Sequence, residues 1–265
     1  MLAVIGLLLL SSGPARAWSE WGHKAVARIA YDRAAPPVQH WVDTVLAEHP
    51  DPACHQLEEA AVWPDRVRRE RPETRPWHYI DLAVGSMAAG HHPDPQNVVW
   101  AILEMRQRVA RESAAPKAEA LAFLIHFVAD VHQPLHACCL YNEEFPEGDG
   151  GGNKIGLSHR WGGNLHHFWD EGGARHPEDL PGIERELVKA HPPQAEQDAI
   201  QEPMRWAEET HPFGAAAYSD LDWQKLPELG DSYVHRAQVV SDERLAVAAY
   251  RLCTTLTNLY RQSLR

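Results

Sequence analysis

Apolar positions along this chain recur mostly with helical period. Segments 22–34, 37–48, 94–112, 117–132, 164–171, 180–190, 196–210 and 233–263 carry apolar residues three and four apart or are rich in alanine, and no long alternating strand pattern occurs. The pattern predicts an all-α fold built as a single mainly helical domain. Pro36-Pro37, Pro93 and Pro116 fall at or near helix starts, where a missing amide is tolerated. The stretch Gly148-Asp149-Gly150-Gly151-Gly152-Asn153 reads as a loop. With no internal repeat and no low-complexity linker, residues 18–265 are expected to form one domain.

Segment 117–132 carries a second message. Leu121, Leu124, Ile125, Val128 and Val131 form one apolar stripe, while His126 and Asp130, four apart, project together away from it. A helix of this kind is expected to pack on one face and line a cleft with another. Taken alone, the pair reads equally well as a solvated His–Asp contact.

The first residues change the picture of where the protein works. Residues 1–12 are apolar except for two serines, and Ala15-Arg16-Ala17 is a small-x-small cleavage signal. The apolar run is shorter than the roughly 20 residues of a membrane span. We therefore read residues 1–17 as a signal peptide, with export to the periplasm or medium and no membrane span. The missing basic residue ahead of the apolar run suggests a start slightly upstream. Export permits disulfides; Cys54, Cys138, Cys139 and Cys253 allow three pairings, none with zinc-finger spacing, and the sequence does not choose among them.

Cleavage after Ala17 would make Trp18 the N-terminus, whose amino nitrogen and carbonyl oxygen can chelate a metal beside His23. Further oxygen and nitrogen donors follow in clusters. Asp65 sits in Trp63-Pro64-Asp65, and His78 in Trp77-His78-Tyr79-Ile80-Asp81. His126 and Asp130 precede His136, and His166 and Asp170 are again four apart on an expected helix. Imidazole and carboxylate donors suit zinc. The formal charge of −12 argues against holding nucleic acid mainly by a basic surface, but not against a nucleic-acid enzyme whose positive charge is bound metal.

The ordered set Trp-x4-His, Trp-x-Asp, Trp-His-Tyr, His-x3-Asp-x5-His, Gly-Gly-Asn and Asn-Leu-His-x2-Trp-Asp, running from Trp18 to Asp170, resembles the S1/P1 nuclease family. The helical remainder fits in length. The resemblance implies a secreted zinc enzyme that cleaves single-stranded DNA and RNA and releases phosphate from 3′-nucleotides. It implies three zinc ions. One is held by Asp65, His78, His126 and Asp130, a second by Trp18, His23 and a bridging Asp130, and a third by His136, His166 and Asp170. Zinc lowers the pKa of bound water to about 7. The implied mechanism is in-line attack of hydroxide on phosphorus, oriented by Asp65. The third ion stabilises the leaving 3′ oxygen, and the products carry 5′-phosphate.

The resemblance also assigns Arg68 to steadying the phosphate, and Tyr79 with Asp81 to holding a base by stacking and hydrogen bonding. Asn153 and the preceding glycine, Gly152, are placed at the same pocket, because glycine lets backbone approach a ligand closely. The motif favours His136 over His132, and helical spacing favours His166 over His167. His91, His92 and His159 read as exposed surface, and Trp206, Trp223 and Tyr233 as core. A monomer is expected.

Two rival functions share parts of this pattern. Zinc-dependent phospholipase C uses a similar trinuclear site, but typically has Glu in place of Asp170 and lacks the Tyr79/Asp81 pair. A zinc-storage protein would explain the 17 histidines but not their order, and no His-rich tract is present.

Overall fold

A computed structural model describes residues 18–161, 163–175, 179–219, 221 and 228–265, with the backbone alone at His159. The expected signal peptide, Trp223 and the His159 side chain lie outside the described residues. Helices account for most of the described chain, and none of them is long and apolar enough to cross a membrane.

The first helix, α1 (Glu20–Arg33), buries His23, Val26, Ile29 and its small alanines against α10 (Asp231–Ser263) and α3 (Leu57–Val67). Helix α2 (Pro36–Leu46) starts on the Pro36-Pro37 pair, as expected. Helix α3 was not legible from periodicity, because Pro64 stands inside it. A proline this near the end removes only the amide that would bond the Ala60 carbonyl. The next carbonyl, that of Ala61, is used by the site.

Helix α4 (Val98–Arg111) begins four residues later than the sequence suggests. Asn97 sets the boundary: its side chain accepts hydrogen bonds from the amides of Val99 and Trp100. Helix α5 (Ala114–Asp130) lies at the centre, packed against α4, α3, α2, α10 and α1. Every residue from Ala120 to Asp130 is buried. The expectation of one packed face and one cleft face therefore fails: α5 is enclosed all round, and its His and Asp lie inside the molecule.

Beyond α6 (Leu165–Asp170) and α7 (Leu180–Ala190), the expected helix 196–210 divides into α8 (Ala195–Asp198) and α9 (Pro203–Ala217). Pro203 is the cause, since it forces the preceding Glu202 to be extended, at φ −89° and ψ 113°. Helix α10, at 33 residues, spans about 50 Å and forms one side of the main core. A second, smaller core gathers Leu135, Leu165, Phe168, Trp169 and Tyr233. His136 lies between Leu135 of this smaller core and Ala137 of the main one.

Two short strands, β1 (Ala83–Val84) and β2 (Cys139–Leu140), pair in parallel with Ala83 opposite Cys139. The pairing extends upstream, where the Ile80 amide donates to the His136 carbonyl at 2.8 Å. This ladder locks the segment carrying His78, Tyr79 and Asp81 against the segment carrying His136. All four cysteines are free thiols, and Cys54, Cys138 and Cys139 are buried. Cys138 packs where α9 passes closest. A Cβ at Gly214 would meet the Pro134 carbonyl oxygen at 2.3 Å and Cys138 Sγ at 2.4 Å, so only glycine fits there.

Candidate metal centre

Six segments deliver the donors. Helix α1 brings His23, the end of α3 brings Asp65, and the turn before β1 brings His78. Helix α5 brings His126 and Asp130, a single 3-10 turn (Pro134–His136) brings His136, and α6 brings His166 and Asp170. All of them are buried except Asp65, which is 12% exposed.

The ring orientations follow from the carbonyls around them. His126 Nδ1 donates to the Ala61 carbonyl at 2.8 Å, His136 Nδ1 to the His78 carbonyl at 2.7 Å, and His166 Nδ1 to the Gly151 carbonyl at 2.6 Å. A carbonyl only accepts, so each Nδ1 carries the proton and each neutral ring presents a lone pair at Nε2. Those lone pairs converge. His136 Nε2 and His166 Nε2 stand 3.2 Å apart, with Asp170 oxygens at 3.8 and 3.6 Å. His126 Nε2 lies 3.1 Å from His78 Nδ1 and 3.2 Å from Asp130 Oδ2. His78 Nδ1 is 2.9 Å from that same oxygen.

Three groups therefore have ligand atoms within 4.8 Å of one another: His23 with Asp65 and His126, His78 with His126 and Asp130, and His136 with His166 and Asp170. The third matches the expected set. The first two share His126 and form one continuous cluster, in which His23 groups with Asp65 rather than standing apart. His23 stacks flat on His126 at 3.9 Å and points Nε2 at Asp130 Oδ1, 3.5 Å away. Asp130 thus faces both halves of the cluster.

Trp18 itself is fully buried. Its indole Nε1 donates to the Ala129 carbonyl at 3.1 Å, and the Ser19 amide donates to the Asp170 carbonyl at 2.9 Å. Residues 18 and 19 are thereby tied between α5 and α6, beside the donors of both.

The electrostatics match a cation site. Burial holds the pKa of His23, His78 and His136 well below the usual histidine value and that of His166 down to about 4, so these rings stay neutral. Burial opposes charge on His126, but Asp130 and Asp65 outweigh it and raise its pKa, so positive charge is drawn to this ring. Burial raises Asp130 to about 6 and Asp170 well above the carboxylate range. Within the cluster, Asp65 Oδ1, Asp130 Oδ1, Asp170 Oδ2 and both His23 nitrogens are buried without a hydrogen-bond partner. Each such atom costs about 1–3 kcal/mol if left so. Converging lone pairs and orphaned carboxylate oxygens fit divalent metal ions with imidazole and oxygen ligands.

A cleft of about 200 Å³ opens beside the third group, lined by His136 and His166. Arg68, Tyr79, Asp81 and Asn153 line it too, so the structure brings together these residues, expected to handle substrate. Arg68 also reaches Asp65 Oδ1 at 3.7 Å. Burial, then Asp149 and Asp94, push the Asp81 carboxyl up to about 6. Gly152 is placed differently. It is buried behind the cleft, where a Cβ would meet Leu135 Cδ1 at 2.9 Å. Gly150 and Gly151 line the cleft instead; Gly151, at φ +61°, presents its carbonyl to His166.

Three participants gave no signal in the sequence. Gln133, fully buried, donates from Nε2 to Asp170 Oδ1 at 2.6 Å and fixes that carboxylate. Asp149, also fully buried, accepts from the amides of Leu140, Gly151 and Gly152 and shapes the glycine loop. Lys154 lines the cleft next to Asn153. Only the position of Lys154 beside a suspected substrate residue could have drawn notice; the others act through tertiary contacts that have no spacing. Among the competing histidines, His132 donates to the Val128 carbonyl and accepts from buried Arg251, and His167 is exposed. His92 is exposed, whereas His91 is half-buried and stacks on Tyr141 at 3.8 Å. Trp206 and Tyr233 are core.

Known proteins resemble this chain over much of its length. Endonuclease 1 of Arabidopsis thaliana is 32% identical over 190 residues, covering 64% of this chain and 58% of that protein. Nuclease S1 of Aspergillus oryzae is 25% identical over 288 aligned positions, covering 96% and 94%. Nuclease P1 of Penicillium citrinum is 27% identical over 289, covering 92% and 98%. A family model described as S1/P1 Nuclease matches residues 18–261, a span that takes in every donor of the cluster and every residue lining the cleft, and the chain belongs to the S1/P1 nuclease family.

Proposed function

We propose that this chain, after cleavage behind Ala17, is an exported three-zinc phosphodiesterase. It cuts single-stranded DNA and RNA to 5′-nucleotides and releases phosphate from 3′-nucleotides. One observation carries the reading: the lone-pair group of His136 and His166, suited to metal, opens onto a cleft that also holds an aromatic ring, a carboxylate and an amide suited to a nucleobase. The names of the fungal and plant relatives support it.

Zinc, when bound, supplies Lewis acidity and brings the pKa of water to about 7. Asp65, His78, His126 and Asp130 would hold one ion, and His136, His166 and Asp170 another. The free amino nitrogen and carbonyl oxygen of Trp18, with His23 and Asp130, would hold the remaining one. Asp65 orients the attacking oxygen, and Arg68 steadies the phosphate from the cleft wall. Tyr79 stacks on the base of the nucleoside that bears the scissile 3′-phosphate, while Asp81 and Asn153 meet its polar edge. Stacking of this kind contributes about 1–3 kcal/mol per base and needs a base already unstacked, which accounts for single-strand preference.

The test is hydrolysis of single-stranded DNA, RNA, duplex DNA and phosphatidylcholine by a purified monomer beginning at Trp18, against a form with one residue added before it. Cleavage of the single strands, crippled by the added residue, supports the reading. Cleavage of lipid alone replaces it with a phospholipase C.

A further inference from the structure

The glycine loop gives the cleft a direction. At one end the Gly151 carbonyl accepts from His166 of the metal cluster. At the other, the Gly148 carbonyl accepts from the ammonium of Lys154. Asn153 lies between, its Nδ2 donating to the Gly150 carbonyl at 2.8 Å. A nucleoside held with its 3′-phosphate at the metals and its base over Asn153 and Asp81 would leave its 5′ carbon free to face Lys154 in the same cleft.

Lys154 is suited to what it would find there. It is exposed, and it makes no ion pair among the described residues. The other basic side chain of the cleft, Arg68, is committed near Asp65 and the metal cluster. One hydrogen bond to Gly148 leaves further N–H donors on the ammonium. In a protein of formal charge −12, a polyanionic strand needs local positive charge along its path.

We propose that Lys154 binds the phosphate on the 5′ side of the nucleoside held in the cleft, so that this chain favours strands over substrates lacking that phosphate. The proposal rests on the nuclease reading and names a specificity determinant within it. A 3′-nucleotide or an unphosphorylated dinucleotide such as ApA cannot make the contact, whereas pApA can.

The experiment measures kcat and KM for ApA and pApA with the Trp18 form and with its Lys154→Ala and Lys154→Arg variants, each checked for an unchanged melting temperature. The KM ratio of pApA to ApA is expected to rise roughly 3- to 10-fold in Lys154→Ala, the size of one partly exposed charged contact. Lys154→Arg is expected to restore it. For a longer oligonucleotide, the slope of log(kcat/KM) against log salt should become shallower by about 0.7 in Lys154→Ala. An unchanged ratio, or an equal rise in KM for both substrates, would show that Lys154 only braces the loop and would overturn the proposal. If the unmodified protein cleaves neither dinucleotide, the nuclease reading fails instead.

Discussion

His136 Nε2 and His166 Nε2 face each other at 3.2 Å with no proton between them, because each ring gives its Nδ1 proton to a backbone carbonyl. Two lone pairs this close repel unless a cation lies between them. A bound metal would therefore stabilise the fold, since the donors come from segments far apart in the chain. Chelation should lower the melting temperature by at least about 5 °C and abolish activity in the same titration. Full activity after chelation would remove the metal assignment.

Asp130 faces both halves of the larger cluster, with Oδ2 on His78 and His126 and Oδ1 toward His23. Asp130→Asn removes the charge while keeping the shape. It should be the most damaging single change, lowering kcat/KM by more than about 100-fold, beyond the 10–100-fold typical of residues that only support ligands. Metal content should fall by more than one ion. A near-normal rate would show that Asp130 does not serve two sites.

The Gln133 side chain holds Asp170 Oδ1 at 2.6 Å, while its backbone bonds to Asp130 and His136. Gln133→Ala frees that carboxylate, so affinity at the third site should drop about 10–100-fold. Metal titration by calorimetry should show one site alone affected. Uniform weakening of all sites would mean a general packing defect.

Partial burial, then Asp149 and Asp94, push the Asp81 carboxyl up to about 6, against 3.8 for an ordinary aspartate. Between those values the folded protein holds a proton that the unfolded chain has lost. Above about 6 the carboxylate is ionised in both states and its burial costs stability in full. Base recognition needs the ionised form, so binding of a 3′-nucleotide should weaken as pH falls through about 6. Asp81→Asn should raise the melting temperature at pH 7 while weakening that binding. A destabilised Asp81→Asn would show that the charge is compensated within the fold.

Much of the centre was legible because its donors sit in short motifs: His and Asp four apart on α5 and on α6, and His78 beside Tyr79 and Asp81. Helical spacing alone places such pairs on one side. Helix α3 was hidden by Pro64, although it carries Asp65, because a proline reads as a stop even where a late position tolerates it. The enclosure of α5 was missed because a stripe of leucines and valines says nothing about what covers the other faces. Gln133, Asp149 and the exchange of Gly152 for Gly151 depend on contacts across the chain, which leave no periodicity.

Diffraction from crystals of the Trp18 form grown with zinc, recorded on both sides of the zinc absorption edge, tests the central claim most directly. The account predicts three anomalous peaks: one among Asp65, His78, His126 and Asp130, one at Trp18 and His23, and one among His136, His166 and Asp170. The absence of a peak between His136 and His166 would contradict it.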